Sequence, residues 1–390
     1  MPDPINYTRR LRMMLTALAA LTGGALLFNF LINPFGTWRH RLVNGIYYRV
    51  RAGHERVIAP YLLRSTEPST VMFGTSRVLM GIPIEQGIKD GVLNAGMAAA
   101  RPEEIAQGVA LALENPHLKR VIWGADFFTF DQRFKPNPDT TARLGGSLRL
   151  LVLDNLLSAE ALDSSYHLLN RALSGRRRLD PRVLEPIPWP ADFICARFAH
   201  YPTRGLSAYG ERGALQQVIA DVPLYKGSIC CGAAMAQFAR AIDQIRAAHV
   251  QPIVFVPAVS QYELEAIRQS GLWPRFQQWK RDLAEIVSYW DFSGYNQIAR
   301  TDTMFMDILH VKPEVGMTIL NRLLGKTDPR CQSMTVVLDA GLWVDRSNVE
   351  QVLAQQDKRE QAANAQPNKY AEVVEKAIAQ GSENLTSASR

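Results

Sequence analysis

VMFGTSRVLM, from Val71 to Met80, is an apolar run interrupted by a small polar tetrapeptide. Large apolar residues at 71–73 are typical of a buried strand. The run breaks at Gly74–Arg77 and then resumes. A loop of this kind is either an ordinary turn or a place where the chain presents Ser76 as a nucleophile. Its meaning depends on what the rest of the chain brings beside it.

Short apolar runs recur downstream, and amphipathic helical patterns separate them. The runs that we interpret as buried parallel strands are 70–74, 91–96, 120–128, 252–259 and 289–294. Helical patterns begin at Pro102, cover 235–245 and 276–286, and run from Pro313 to a stop at Gly325. Alternating strands and helices predict an α/β fold with a doubly wound parallel sheet.

The chain divides into a terminal anchor and a main domain. The predicted parts are a cytoplasmic N-terminus (1–12), a transmembrane signal anchor (13–38), a juxtamembrane connector (39–69), the main domain (70–330), and a C-terminal extension with a polar tail (331–390). Residues 131–230 are rich in Pro and Arg, with one amphipathic pattern at 150–173. We interpret them as an inserted lid over the strand ends, where loops carry function.

The anchor is predicted from 26 consecutive uncharged residues, Met13–Trp38. That length spans a bilayer and exceeds the apolar region of a cleavable signal peptide. Residues 1–60 hold eight Arg against Asp3 and Glu55, which is +6 of the formal charge of +7. The remainder is close to neutral, which argues against a nucleic-acid-binding face. Arg residues flank the anchor on both sides, so the charge pattern leaves its orientation open.

In a doubly wound sheet the site lies beyond the carboxyl ends of the strands. We therefore inspected the residues that directly follow each predicted strand. The candidate catalytic residues are Ser76, His310 and Asp307, and the candidates for oxyanion stabilisation or substrate binding are Gly96, Asn94, Arg77 and Asp126. The cysteines (Cys195, Cys230, Cys231 and Cys331) show no metal-ligand spacing, so we expect neither a metal nor a cofactor. Buried thiols and an extracytoplasmic disulfide both fit that cysteine content.

A serine hydroxyl is a weak nucleophile at neutral pH and needs a base that a third group orients. Ser76, His310 and Asp307 supply those types, the last two on one turn. Arg77 is either a charged donor to an anionic substrate or an ion-paired residue. Asp126 is either a site carboxylate or the cap of a turn.

The order of these motifs resembles the four blocks of the SGNH (GDSL-like) hydrolase superfamily. The blocks here are Gly-x-Ser after the first strand, Asn-x-Gly after the second, Gly-x-Asp after the third, and a late Asp-x-x-His. The anchor, "GTSR" and the "WDFSGYN" to "FMDILHVKPEVG" ending look most like the branch of alginate O-acetylation proteins and the D-alanyl-lipoteichoic acid protein DltD. The resemblance implies Ser76 as nucleophile, His310 as general base and Asp307 as its orienter.

This chain departs from the superfamily pattern at its expected oxyanion donors. Thr75 stands in place of the usual Asp, and the expected glycine and asparagine donors fall near Ala99 and on Ala125. Backbone N–H groups of Ser76 and of 96–99 are the alternative donors.

The resemblance implies a single-pass inner-membrane protein whose main domain is periplasmic. Its expected partners are the membrane, a cell-surface polysaccharide or other acyl-bearing polymer, and a membrane-bound O-acyltransferase. One hypothesis is an acyltransferase or esterase acting on O-acyl groups, acetyl above all, of that polysaccharide through the Ser-His-Asp triad. The other is a catalytically silent SGNH-like module that binds glycan or scaffolds an assembly complex.

Overall fold

The computed structural model describes residues 4–34, 54–65, 67–82, 91–146, 152–153, 156–174, 214–215, 218, 232–325 and 340–388. The α-helices in these ranges are α1 (Pro4–Ile32), α2 (His54–Ser65), α3 (Ser76–Gly81), α4 (Pro102–Ala112), α5 (Pro138–Gly145), α6 (Ala159–Leu173), α7 (Gly232–Ala247), α8 (Gln261–Gln269), α9 (Trp273–Ile286), α10 (Pro313–Leu324), α11 (Val349–Asn364) and α12 (Lys369–Ala388).

Six strands form one mostly parallel sheet. They are β1 (Thr70–Phe73), β2 (Val92–Asn94), β3 (Arg120–Gly124), β4 (Gln251–Val256), β5 (Tyr289–Asp291) and β6 (Leu342–Val344). Their order is β2-β1-β3-β4-β5-β6, and the edge strand β6 is the antiparallel member. The protein is therefore α/β, and each predicted strand is confirmed within a few residues.

The chain changes direction across the sheet at β1. Strand β2 pairs with one side of β1, and β3 returns to pair with the other side. Ligand sites of open α/β sheets lie outside the carboxyl ends of the strands where the order reverses. The carboxyl ends of β1 and β3 lead directly to Ser76 and Asp126.

The predicted helices of the domain are confirmed, and their ends have local causes. Helix α4 begins with Pro102, which lacks the N–H that the first turn leaves unpaired in any case. Helix α10 ends at Gly325, whose φ of +63° favours glycine. The apolar faces of α7 and α9 bury Phe238 and Trp279 in the main core.

Helix α1 is long and apolar enough to cross a bilayer between Tyr7 and Ile32. Its side chains are exposed from residue 7 to 24, whereas its last turns pack on α6. There Asn29 donates to the Leu156 carbonyl at 2.8 Å and accepts from the Ser165 hydroxyl at 2.9 Å. These contacts tie α6, part of the predicted insertion, to the end of α1.

The connector predicted at 39–69 is in part an integral helix of the main domain. Helix α2 packs against α4 and α5, and Ala59, Leu62 and Leu63 join the main core. Residues 54–65 of the predicted connector therefore belong to the packed domain, because the apolar face of this helix is buried. Residues 35–53 lie outside the described ranges.

The polar tail predicted at the C-terminus forms the helices α11 and α12 where the structure describes it, and both pack on the domain. Helix α12 lies against α8 and buries Val373, Val374 and Ala377. Helix α11 lies against α9 and inserts Gln356 into a buried polar cluster. The buried apolar residues of α12 form a short stripe among polar residues, so the sequence pattern did not reveal that this helix packs on the domain.

The predicted lid falls largely outside the described residues. Within 131–230 the structure describes α5, α6 and a few short pieces. Within the predicted amphipathic pattern at 150–173, residues 152–153 and 156–157 are helical and α6 covers Ala159–Leu173. The Arg176–Arg178 run and the four cysteines lie outside the described ranges.

Candidate active site

Ser76 is the first residue of α3, directly after the loop that ends β1. Thr75 caps this helix, since its hydroxyl oxygen accepts the Arg77 N–H at 3.2 Å. The residues on either side of Ser76 are buried, whereas Ser76 itself is partly exposed. The strand-to-helix turn in VMFGTSRVLM therefore presents this hydroxyl at the carboxyl edge of the sheet.

Asp307 and His310 lie on one tight hairpin. An antiparallel bridge between Phe305 and Val311 closes it. Asp307 Oδ1 accepts the backbone N–H groups of Leu309 at 2.8 Å and His310 at 2.9 Å. The aspartate therefore shapes the turn that places it beside the imidazole.

The hairpin brings His310 to Ser76, 234 positions away in sequence, with 2.9 Å between Nε2 and the serine Oγ. On the other side of the ring, Nδ1 lies 2.8 Å from Asp307 Oδ2 and 2.9 Å from Oδ1. A carboxylate at Nδ1 favours the tautomer with the proton on that nitrogen, which leaves Nε2 to accept from the serine hydroxyl.

Asp307 is held as an anion. Burial opposes its ionisation, but hydrogen bonds from the His310 ring and from the N–H groups of Leu309 and His310 outweigh burial and lower the pKa of Asp307. An anionic Asp307 stabilises the imidazolium that forms when His310 takes a proton.

Close packing of α10 on α3 holds the hairpin in place. A Cβ atom on Gly316 would lie 1.6 Å from the carbonyl oxygen of Gly81, so these backbones touch at a point where only glycine fits. Ser260, which caps α8 after β4, donates to the Ile308 carbonyl at 2.6 Å. The loops that follow β1, β4 and β5 thus fix the geometry jointly.

Arg77, the residue after Ser76, is buried between two carboxylates. Its Nε lies 2.8 Å from Asp126 Oδ2, and its guanidinium contacts both oxygens of Glu263 at 2.6 and 2.7 Å. The Thr75 hydroxyl donates to Asp126 at 3.0 Å. Of the two readings of Arg77, the ion pair is confirmed, although it is buried rather than at the surface. Both carboxylates are committed to holding the Ser76 turn, so the geometry does not support Arg77 or Asp126 as substrate ligands.

Asn94 is likewise a structural link. Its amide nitrogen donates to the Val78 and Ile82 carbonyls at 3.0 and 3.1 Å, and its oxygen accepts the Gly96 N–H at 2.9 Å. The Asn94 side chain and the Gly96 N–H thus already have protein partners, and these hydrogen bonds link the end of β2 to α3. Their expected role as oxyanion donors is not supported by this geometry.

The backbone offers other donors at the same place. Within 96–100, protein oxygens accept the N–H groups of Gly96, Met97, Ala98 and Ala100. In the described part of the chain, the N–H groups of Ser76 and Ala99 make no protein hydrogen bond. Ala99 adopts a φ of +51°, which alanine rarely does. Among the described residues 75–77 and 96–100, these two N–H groups are therefore backbone donors without a protein acceptor.

No protein-family model matches this chain. A search of curated proteins likewise finds no relative. Function must therefore be inferred from the geometry of the site.

Four supporting residues were not predicted: Glu55, Arg56, Ser260 and Glu263. The last two had a visible signal, because Ser-x-x-Glu before an apolar pattern is a helix N-terminal signature. Glu55 and Arg56 carried no such signal, because their partner, the backbone of Ala98, lies more than 40 positions away.

Proposed function

We propose that this protein is a membrane-anchored serine esterase or O-acyltransferase of the SGNH-like type. The observation that carries the proposal is the hydrogen-bonded series from Ser76 Oγ through His310 to Asp307. Nucleophile, base and orienting carboxylate stand in the order that serine activation requires.

The reaction proceeds through an acyl-enzyme. Ser76 Oγ attacks the ester carbonyl carbon while its proton passes to His310 Nε2. The resulting tetrahedral intermediate collapses, and the alcohol leaves with the proton from His310. A water molecule or a sugar hydroxyl then loses its proton to His310 and attacks the acyl carbon. The second tetrahedral intermediate collapses, the bond between the acyl carbon and Ser76 Oγ breaks, and His310 returns the proton to Ser76 Oγ.

The oxyanion of the tetrahedral intermediate is assigned to the N–H groups of Ser76 and Ala99. A donor of this kind contributes about a hundredfold or more in rate. Backbone donors would make the missing superfamily side chains unnecessary.

The superfamily assignment draws on the order of the motifs and on the position of each along the sheet. Ser76 follows β1, Asn94 ends β2, Asp126 follows β3, and the Asp-x-x-His motif precedes α10. The strand order β2-β1-β3-β4-β5 matches the flavodoxin-like winding. Residues 131–230 would be the lid of this domain.

The substrate class and the location follow from the resemblance together with α1. We propose a single-pass anchor in the inner membrane, a periplasmic domain, and an O-acyl, chiefly acetyl, group of a cell-surface polysaccharide as substrate. A membrane-bound O-acyltransferase would be its partner in acyl delivery. An apolar helix from Tyr7 to Ile32 is what such an arrangement needs.

A catalytically silent glycan-binding or scaffolding module is the competing function. It draws on the superfamily's glycine and asparagine donors that this chain lacks, and on the Asn94 side chain, whose polar atoms already have protein partners. The two functions differ in whether Ser76 reacts.

The deciding experiment treats detergent-solubilised full-length protein with a fluorophosphonate probe and with p-nitrophenyl acetate. We expect covalent labelling at Ser76 and ester hydrolysis, both of which Ser76→Ala abolishes without lowering the melting temperature. Ser270→Ala, at the end of α8, is the matched control and should react as the wild type does. A wild-type protein that neither labels nor hydrolyses, or a Ser76→Ala variant that does both, would favour the silent module.

A further inference from the structure

The segment after β2 makes a tight turn beside Ser76. The Ala100 N–H donates to the Met97 carbonyl at 3.1 Å, which closes a turn with Ala98 and Ala99 at its centre. Of these two, Ala99 has a positive φ. That combination fits a type II turn, whose third residue is normally glycine or asparagine. The Met97 N–H donates to the Gly74 carbonyl at 2.9 Å, which places the turn against the Ser76 loop.

Helix α2 holds both polar groups of Ala98. Glu55 Oε1 accepts the Ala98 N–H at 2.9 Å, and the Arg56 guanidinium donates to the Ala98 carbonyl at 2.9 Å. Arg56 is also paired with Glu104 at 2.9 Å, and that carboxylate accepts the Arg101 N–H at 3.0 Å. We call the Glu55 and Arg56 side chains the clamp. They are 5% and 8% exposed, so both are buried.

The bond to the Ala98 carbonyl decides where the Ala99 N–H points. In a planar trans peptide the C=O and the following N–H point in opposite directions. With the Ala98 carbonyl held on α2, the Ala99 N–H is directed away from that helix. Type I and type II turns differ by a flip of this central peptide, as their ψ and φ values on either side show. A flip would turn the Ala99 N–H around.

The turn has a reason to flip, because alanine disfavours the left-handed region. The penalty for a non-glycine residue corresponds to roughly a 5- to 30-fold population difference. We propose that Arg56 is a positioning residue that holds the Ala98–Ala99 peptide in its strained orientation while Glu55 anchors the preceding Met97–Ala98 peptide, so that helix α2 sets the oxyanion hole. This inference rests on the proposed function of Ser76.

The test measures kcat and KM for p-nitrophenyl acetate in full-length variants. Arg56→Gln should lower kcat roughly 5- to 30-fold with little change in KM, since an oxyanion donor acts in the transition state. Glu55→Ala leaves both the Arg56–Glu104 pair and the Arg56 bond to the Ala98 carbonyl intact, frees only the Ala98 N–H, and should lower kcat by less than Arg56→Gln does. Arg64→Gln is the matched control: it removes a 2.8 Å bond from the same helix to the Leu144 carbonyl and should leave kcat unchanged.

A second measurement separates positioning from folding. Glycine adopts a positive φ freely, so Arg56→Gln should cost less than threefold in kcat when introduced into the Ala99→Gly background. Equal losses in both backgrounds would overturn the inference, as would wild-type kcat in Arg56→Gln and Glu55→Ala. Wild-type protein without Ser76-dependent activity would overturn the proposed function and this inference together. Ser76-dependent activity that is unchanged in Arg56→Gln and Glu55→Ala would overturn this inference alone.

Discussion

Replacing Asp307 with asparagine tests the geometry of the candidate site most sharply, because the structure dictates how the new side chain must orient. Oδ1 accepts two backbone N–H groups, from Leu309 at 2.8 Å and His310 at 2.9 Å. Only oxygen can accept there, so the amide oxygen of the asparagine must keep this place. Its NH₂ group is then forced into the position of Oδ2, 2.8 Å from His310 Nδ1.

The exchange inverts the tautomer of the imidazole. An NH₂ group 2.8 Å from Nδ1 opposes an N–H on that nitrogen, against which only the oxygen retained at 2.9 Å would act, so the exchange favours the tautomer with the ring proton on Nε2, which lies 2.9 Å from Ser76 Oγ. A protonated Nε2 cannot take the serine proton. The same change in a serine triad lowers kcat about 10⁴-fold, which corresponds to about 5 kcal/mol of transition-state stabilisation.

The assay compares Asp307→Asn with the wild type in probe labelling and in p-nitrophenyl acetate hydrolysis. Asp302 lies on a neighbouring 3₁₀ turn (Asp302–Met304) and contacts Lys369 at 2.9 Å. Asp302→Asn loses that contact, and as the control it should retain wild-type rates. An Asp307→Asn variant that keeps a tenth or more of the wild-type rate would refute the tautomer argument.

The same variant should change the pH dependence of stability. The pKa of Asp307 is lowered in the folded protein, so its stabilising contribution is complete above its unfolded pKa of about 3.9 and is lost as the pH falls through the lower folded value. The difference in unfolding free energy between wild type and Asp307→Asn should therefore be largest near neutral pH and should shrink in acid. A difference that stays constant down to pH 2 would contradict the assignment.

Two further substitutions test how distant parts of the chain support the site. Lys280 is fully buried and lies 2.8 Å from Asp291, while Gln356 on α11 bonds to both. Burial lowers the pKa of Lys280 although Asp291 opposes the shift. Lys280→Met leaves the carboxylate buried without its counter-charge and should cost about 3–5 kcal/mol in urea unfolding, whereas a loss below 1 kcal/mol would contradict this role. Gly316→Ala places a methyl group 1.6 Å from the Gly81 carbonyl oxygen. It should shift the His310 hairpin and lower kcat/KM about a hundredfold, and wild-type kinetics would show that the contact is not needed.

Several elements were predictable because their signals are local. Parallel strands buried on both faces read as continuous apolar runs, and Pro102 and Gly325 mark helix ends by the backbone angles they prefer. Ser76 stood out because it follows such a run directly. Asp307 and His310 stood out because they share one turn.

Other features were not predictable because a residue's partners lie far away in sequence. Arg77 is attractive as a substrate ligand until Glu263, 186 positions later, is found against it. Asn94 matches an oxyanion motif, yet its amide donates hydrogen bonds that link the end of β2 to α3. The C-terminal helices have polar sequences, and only their packing against α8 and α9 shows that they belong to the folded domain.

The sequence by itself determined the strands, the helices that begin or end at clear local signals, and the candidate serine, histidine and aspartate, since backbone propensity and periodicity act over a few residues. The tertiary structure alone decided that Ser76 and His310 meet at 2.9 Å. It also decided which polar groups remain for a ligand, because a buried hydrogen-bonding group is used by whichever partner the fold brings to it. At this site the fold uses Arg77, Asn94 and Asp126 for support, and it leaves the Ser76 hydroxyl and two backbone N–H groups for chemistry.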